Sequence, residues 1–139
     1  MNTEQVKLVQ DSLVRVRPMA DQIASSFYAH LFEIAPYVKK LFRNDMERQG
    51  EMLMTSLELA MGSLDDLENI LPAVQALGDR HVSYGVKAEY YKPAVEAFLW
   101  ALEQHLGDDF SPALNEAWSL GFDTLVKAMT SVNEGKPDN

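Results

Sequence analysis

Residues 77–86 read LGDRHVSYGV, and the histidine among them, His81, falls on the stripe that Ile70, Val74 and Leu77 draw at helical spacing. At 100° per residue it points where an apolar side chain belongs. Two chemistries fit an imidazole placed there. It is either a hydrogen-bonded core histidine, or a neutral ring that offers one nitrogen to a metal. Gly78 lies one turn earlier on the same face and carries no side chain, so this reading expects room beside the imidazole for something flat to approach.

The other two histidines, His30 and His105, sit at the edges of their own stripes and read as structural or solvent-facing. No His-x-x-x-His or Glu-x-x-His pair joins any of the three, which argues against a metal held by protein side chains alone. The absence of cysteine removes disulfides, thiolate metal sites, thiol nucleophiles and thioether-linked cofactors. A single histidine holds a metal only where another chelator supplies the remaining ligands, and a porphyrin does so.

Three more residues face this choice. Gln49 lies one turn before Leu53 on the apolar side of its stripe, either at the stripe's edge or as a hydrogen-bonding group in a pocket. Tyr28 lies beside Phe27 and Leu31, a place where a tyrosine packs its ring and sends the hydroxyl to the nearest partner. Phe42 follows the prolyl turn PYVKKLF and reads, by itself, as a core aromatic.

Helices must position these groups, because the periodicity is helical nearly throughout and no convincing alternating segment appears. Val6, Val9, Leu13 and Val16 form a first stripe, ended by Pro18. Ile23, Phe27, Leu31 and Ile34 form a second, stopped by Pro36. Met46, Leu53, Leu57, Ala60 and Leu64 form a third. The stripe of His81 is the fourth, with Gly85 placed as a left-handed terminator. Val95, Phe98, Leu99, Leu102 and Leu106 make a fifth, ended by Gly107. Ser111 and Pro112 read as cap and first-turn proline of a last helix bearing Leu114, Trp118, Phe122, Leu125 and Met129. The expectation is an all-α domain of six to eight helices over residues 1–132, with a polar, frayed tail at 133–139.

The 139 residues make one domain with a single core. A formal net charge of -9 argues against nucleic acid and anionic membranes. The polar start MNTEQVKLVQDS shows no signal peptide, and no apolar run approaches the roughly 20 residues of a membrane span. The chain reads as cytoplasmic.

Taken in order, FYAHLFEIAPYVKKLF, MERQGEMLM, LENILPAVQALGDRHVSYGV, YYKPAVEAFLWALEQHLG and AWSLGFDTLVKAM resemble segments of the globins. The likeness is greatest to single-domain bacterial haemoglobins and the haem domains of flavohaemoglobins, and it runs from about Val6 to Met129. The resemblance implies a globin fold around non-covalent haem b, with His81 as proximal iron ligand and Phe42 stacked on the porphyrin. Tyr28 and Gln49 then face the bound gas, with Leu53 beside it. Leu57, Leu77 and Phe98 are expected along the haem, Tyr91 behind the proximal imidazole, and Arg80, Tyr84 and Lys87 near the propionates.

In flavohaemoglobins the tyrosine at Tyr91 acts through a glutamate; here Asn133 aligns with that position and Glu134 follows. The chain ends where the flavin and nicotinamide domains of a flavohaemoglobin would begin. The implied function is reversible dioxygen binding with slow release. Nitric oxide dioxygenase activity with a separate flavin and NAD(P)H reductase is the alternative. Carbon monoxide and nitric oxide are further ligands, and pseudo-peroxidase chemistry is a possible side activity.

Overall fold

The structure, a computed structural model, describes residues 1–42 and 45–135, with side chains through residue 130. Six helices follow one another: α1 (Thr3–Val16), α2 (Ala20–Ile34), α3 (Met46–Gly62), α4 (Leu67–Ser83), α5 (Tyr91–Leu106) and α6 (Pro112–Gly135). Short 3₁₀ turns join them, and no strand occurs among the described residues.

The ends of the helices follow local chemistry. The Asn2 side chain accepts from the Gln5 backbone N–H while the Gln5 side chain accepts from that of Asn2, a reciprocal cap on α1. Pro18 and Pro36 enter 3₁₀ turns directly after α1 and α2. The Asp45 carboxylate caps α3 at Glu47, and the Ser111 hydroxyl accepts from Leu114 at the start of α6. Gly85 and Gly107 adopt φ of 94° and 56°, a region that other residues enter at a cost, and they close α4 and α5. Pro72 lies inside α4 without ending it.

Helix α2 packs chiefly on α5 and α3, while α6 packs on α4 and α1. The centre of the core is Trp118, with Ile23, Met61, Leu102 and Val9 fully buried around it. Ser12, also fully buried, accepts the Trp118 indole N–H at 2.9 Å and donates to the Val9 carbonyl at 2.6 Å, so neither polar group is left without a partner. Two stripe residues depart from expectation. Ile34 is exposed at the end of α2, and Leu64 lies in the turn after α3. Helix α6 runs through residues 133–135 of the segment read as a tail, and residues 136–139 lie outside the described residues. No helix among the described residues is long and apolar enough to cross a membrane.

Candidate functional site

Helices α2 and α3 meet through small residues. A Cβ placed on Gly50 would sit 3.1 Å from the Cβ of Ala24, so the crossing is as close as side chains allow. That approach puts Tyr28, one turn beyond Ala24, against the first turn of α3. Its hydroxyl donates to the Gln49 backbone carbonyl at 3.3 Å, and the Gln49 side chain is half-buried.

Aromatic rings enclose Tyr28. Phe27 lies 4.9 Å away, Phe42 5.2 Å away edge-on and Phe32 6.0 Å away, with Phe32 and Phe42 themselves 5.5 Å apart. Burial among them pushes the Tyr28 hydroxyl up to about 12. The phenol, protonated at neutral pH like any tyrosine, stays a hydrogen-bond donor to well above its ordinary range.

On α4, the Nδ1 of His81 lies 2.7 Å from the carbonyl oxygen of Leu77, one turn back. A carbonyl only accepts, so Nδ1 carries the proton and the Nε2 lone pair is left for another partner. The imidazole is half-buried, with the Tyr91 ring 6.0 Å away, and burial raises the Tyr91 hydroxyl as well. The backbone N–H of Val86 returns to the His81 carbonyl at 2.9 Å, made possible by the left-handed Gly85.

Gly78 has a different role from the one its position suggested. A Cβ there would stand 2.1 Å from the backbone oxygen of Met129. The missing side chain admits the backbone of α6, and it opens no space beside the imidazole. Three positions along a helix leave an offset of about 60° at 100° per residue, and Gly78 uses it to meet α6.

The turns that flank the two clusters meet at the edge of the fold. The 36–42 turn lies against the α4–α5 turn, with Leu41 Cδ2 3.4 Å from a Cβ placed on Gly85 and the rings of Tyr37 and Tyr90 5.4 Å apart. Leu53 and Leu77 are half-buried against the core. Leu57 is buried and, with Leu13 and Val16 of α1, lines a groove of about 380 Å³. Phe98 sits deep in the aromatic core, 5.5 Å from Phe27, 5.3 Å from Phe122 and 6.2 Å from Trp118. Arg80, Tyr84 and Lys87 are exposed around the end of α4. The side chains of Asn133 and Glu134 lie outside the described residues.

The donor set suits an iron porphyrin. Among the described residues, no group of three or more histidine or carboxylate side chains could hold a metal ion. The Nε2 of His81 is uncommitted, however, and a macrocycle that brings four ligands of its own needs only one from the protein.

The globin family model matches residues 25–129. The chain belongs to the globin family. Similar proteins include the flavohemoproteins of Bacillus subtilis (23% identical over 96% of this chain), Halalkalibacterium halodurans (26% over 96%) and Chromobacterium violaceum (26% over 97%). The globin spans about a third of the length of each, 34%, 33% and 34% respectively.

Among solved structures, an engineered carbene transferase from Rhodothermus marinus, described as a candidate nitric oxide dioxygenase, superposes with a TM-score of 0.87 at 25% identity. That match covers 96% of this chain and 94% of the other. A bacterial globin from Campylobacter jejuni superposes at 0.85 and 23% identity, covering 96% of each.

Reading the sequence overlooked Gly50, Ala24 and Phe32. A glycine in mid-helix directly after Gln49 signals a close crossing, and Phe32 stands four residues beyond Tyr28, on the same face.

Proposed function

We propose that this globin holds haem b without covalent bonds and binds dioxygen reversibly in the cytoplasm, releasing it slowly. The observation that carries the reading is the buried Tyr28 hydroxyl, aimed at the start of α3, in a fold whose His81 has an uncommitted Nε2. When bound, haem supplies the iron at which dioxygen, carbon monoxide or nitric oxide is taken up.

The chain's own residues then divide the work. His81 would tether the group, and the Leu77 carbonyl holds the imidazole in one tautomer and orientation. Phe42, Leu53, Leu57, Leu77 and Phe98, with the Tyr91 ring, would exclude water from its faces, and Arg80, Tyr84 and Lys87 would meet its acidic groups.

Tyr28 would exchange its long bond to the Gln49 carbonyl for the ligand, and the Gln49 side chain would add a second donor. Dioxygen acquires partial negative charge on binding and carbon monoxide hardly any, so these donors favour the former. One hydrogen bond to a charged group contributes about 1.5–3 kcal/mol, which slows release by roughly ten- to a hundredfold.

Stopped-flow displacement of dioxygen from the reduced, haem-loaded protein tests this. Tyr28→Phe is expected to raise the off-rate by roughly that factor and to leave folding intact; an unchanged rate would remove Tyr28 from the distal side.

A second reading, nitric oxide dioxygenase with a separate reductase, is favoured by the flavohemoprotein relatives and by the description of the Rhodothermus marinus structure. Sustained NADH-linked consumption of nitric oxide with an added flavin reductase would support it. A single turnover that then stops would count against it.

A further inference from the structure

Helix α3 has a second working side. At 100° per residue, Glu51, Thr55 and Glu58 project opposite to Gln49 and Leu53, away from the Tyr28 hydroxyl. There α3, the end of α1 and the first turn of α2 enclose the groove of about 380 Å³. That volume falls within the range of small-molecule sites, about 300–1,000 Å³. Its floor is apolar, formed by the buried Leu13, Val16, Met54 and Leu57.

The rim is charged and unbalanced. Arg17, in the turn after α1, is ion-paired with Glu58 of α3. Asp21 and Glu51 are exposed, and among the described residues neither is paired with a cation, which leaves the rim at a formal -2. Asp21 stands three residues before Ala24 and Glu51 directly after Gly50, so both lie near the close crossing of α2 and α3. Glu58 lies about two turns further along α3. Beyond the Arg17–Glu58 pair, a more open hollow of about 420 Å³ shares Arg17, Thr55 and Glu58 and is bordered by Leu59, 59% exposed.

An apolar trough, acidic at one end and neutralised at the other, complements a chain that carries a cation at one end. We propose that this groove binds a small aliphatic amine. Its ammonium sits between Asp21 and Glu51, and its alkyl chain runs along Val16, Met54 and Leu57 towards the Arg17–Glu58 pair. A fatty acid would set its carboxylate against the same rim, and a phospholipid its phosphate, so both are repelled. Binding is non-covalent and does not depend on the haem reading.

The test titrates butylamine, hexylamine and octylamine into the isotope-labelled protein, hemin-loaded, reduced and saturated with carbon monoxide. Octanoate and 1-octanol serve as probes of the same length as octylamine. Carbon monoxide holds the open position of the iron, so an amine that displaced it would change the haem absorption band. Amide signals of residues 13–21 and 51–58 are expected to shift while that band stays constant. A fully buried methylene multiplies affinity by roughly four, so a chain covered on one side should gain about twofold per methylene.

Asp21→Asn/Glu51→Gln is expected to weaken octylamine binding by about three- to tenfold at low salt, with added salt erasing the difference. Glu103→Gln/Glu116→Gln removes the same charge from exposed positions of α5 and α6 outside the groove and should match the parent. Unchanged binding in the first variant would overturn the proposal. So would octanoate or octanol binding as tightly as octylamine, an absence of saturable binding, or amide shifts centred on Tyr28, Gln49 and Leu53. If no hemin is taken up, the same titration of the purified protein reads the groove by itself, and the haem reading alone falls.

Discussion

Replacing Gly78 by alanine adds one methyl group where α4 crosses the backbone of α6. Its carbon would stand 2.1 Å from the Met129 oxygen, 2.8 Å from the carbonyl carbon and 3.0 Å from the Cα. All three are backbone atoms of α6, so no rotamer change relieves the overlap, and α4 and α6 must separate by close to an ångström. Overpacking of this kind costs about 1–3 kcal/mol, against a gain of about 1 kcal/mol from the better helix propensity of alanine.

The net loss should be up to about 2 kcal/mol, a fall in Tm of up to roughly 8 °C for a domain of this size. Gly62→Ala is the matched control, because a Cβ at Gly62 meets nothing within 4 Å. It should leave stability unchanged or raise it by a few tenths of a kcal/mol. Urea unfolding of the two variants beside the parent measures the difference. Hemin titration adds a second readout, since only Gly78→Ala shifts the helix that carries His81. Equal stability of the two variants would refute the close crossing and restore the reading of Gly78 as space beside the imidazole.

Three further outcomes follow from single contacts. Ser12→Ala leaves the Trp118 indole N–H buried without its acceptor and should cost about 1–3 kcal/mol in chemical unfolding. Tyr28 has a hydroxyl raised by burial from 10.0 to about 12, so its protonated form is favoured in the folded protein. Its contribution is therefore complete below pH 10 and is lost as pH rises from there towards 12, at up to about 1.4 kcal/mol per pH unit. Tyr28→Phe should flatten that part of the stability profile. Gly85→Ala forces a side chain into φ of 94° and should cost about 1–2 kcal/mol, read as a lower Tm with looser hemin binding.

Much of the helical frame was legible because its signals are local. Pro18, Pro36, Gly85, Gly107 and Ser111 act on the residues beside them, and the stripes need only a period. Trp118 and Phe122 could be placed on a buried face from spacing alone. Their partners could not, because the Ser12–Trp118 bond joins residues 106 apart and no periodicity reports it.

The site divides in the same way. His81 was visible as a polar residue on an apolar stripe, whereas the acceptor at Leu77, chosen from several nearby carbonyls, depended on the ring's orientation. Gly78 was misread for a physical reason. A glycine shows that something comes close without showing from which side, and the backbone of α6 lies on the side that a single-helix projection omits. The pairing of Ala24 with Gly50 needed two helices at once.

The central claim is the proposal that His81 tethers an iron porphyrin able to take up dioxygen. Hemin titration into the purified protein, followed by absorption spectra of the reduced form before and after air is admitted, tests it directly. The account predicts stoichiometric uptake with a spectrum of histidine-ligated haem, a reversible change on exposure to oxygen, and loss of most uptake in His81→Ala. Failure to take up hemin, or equal uptake and unchanged spectra in His81→Ala, would contradict it.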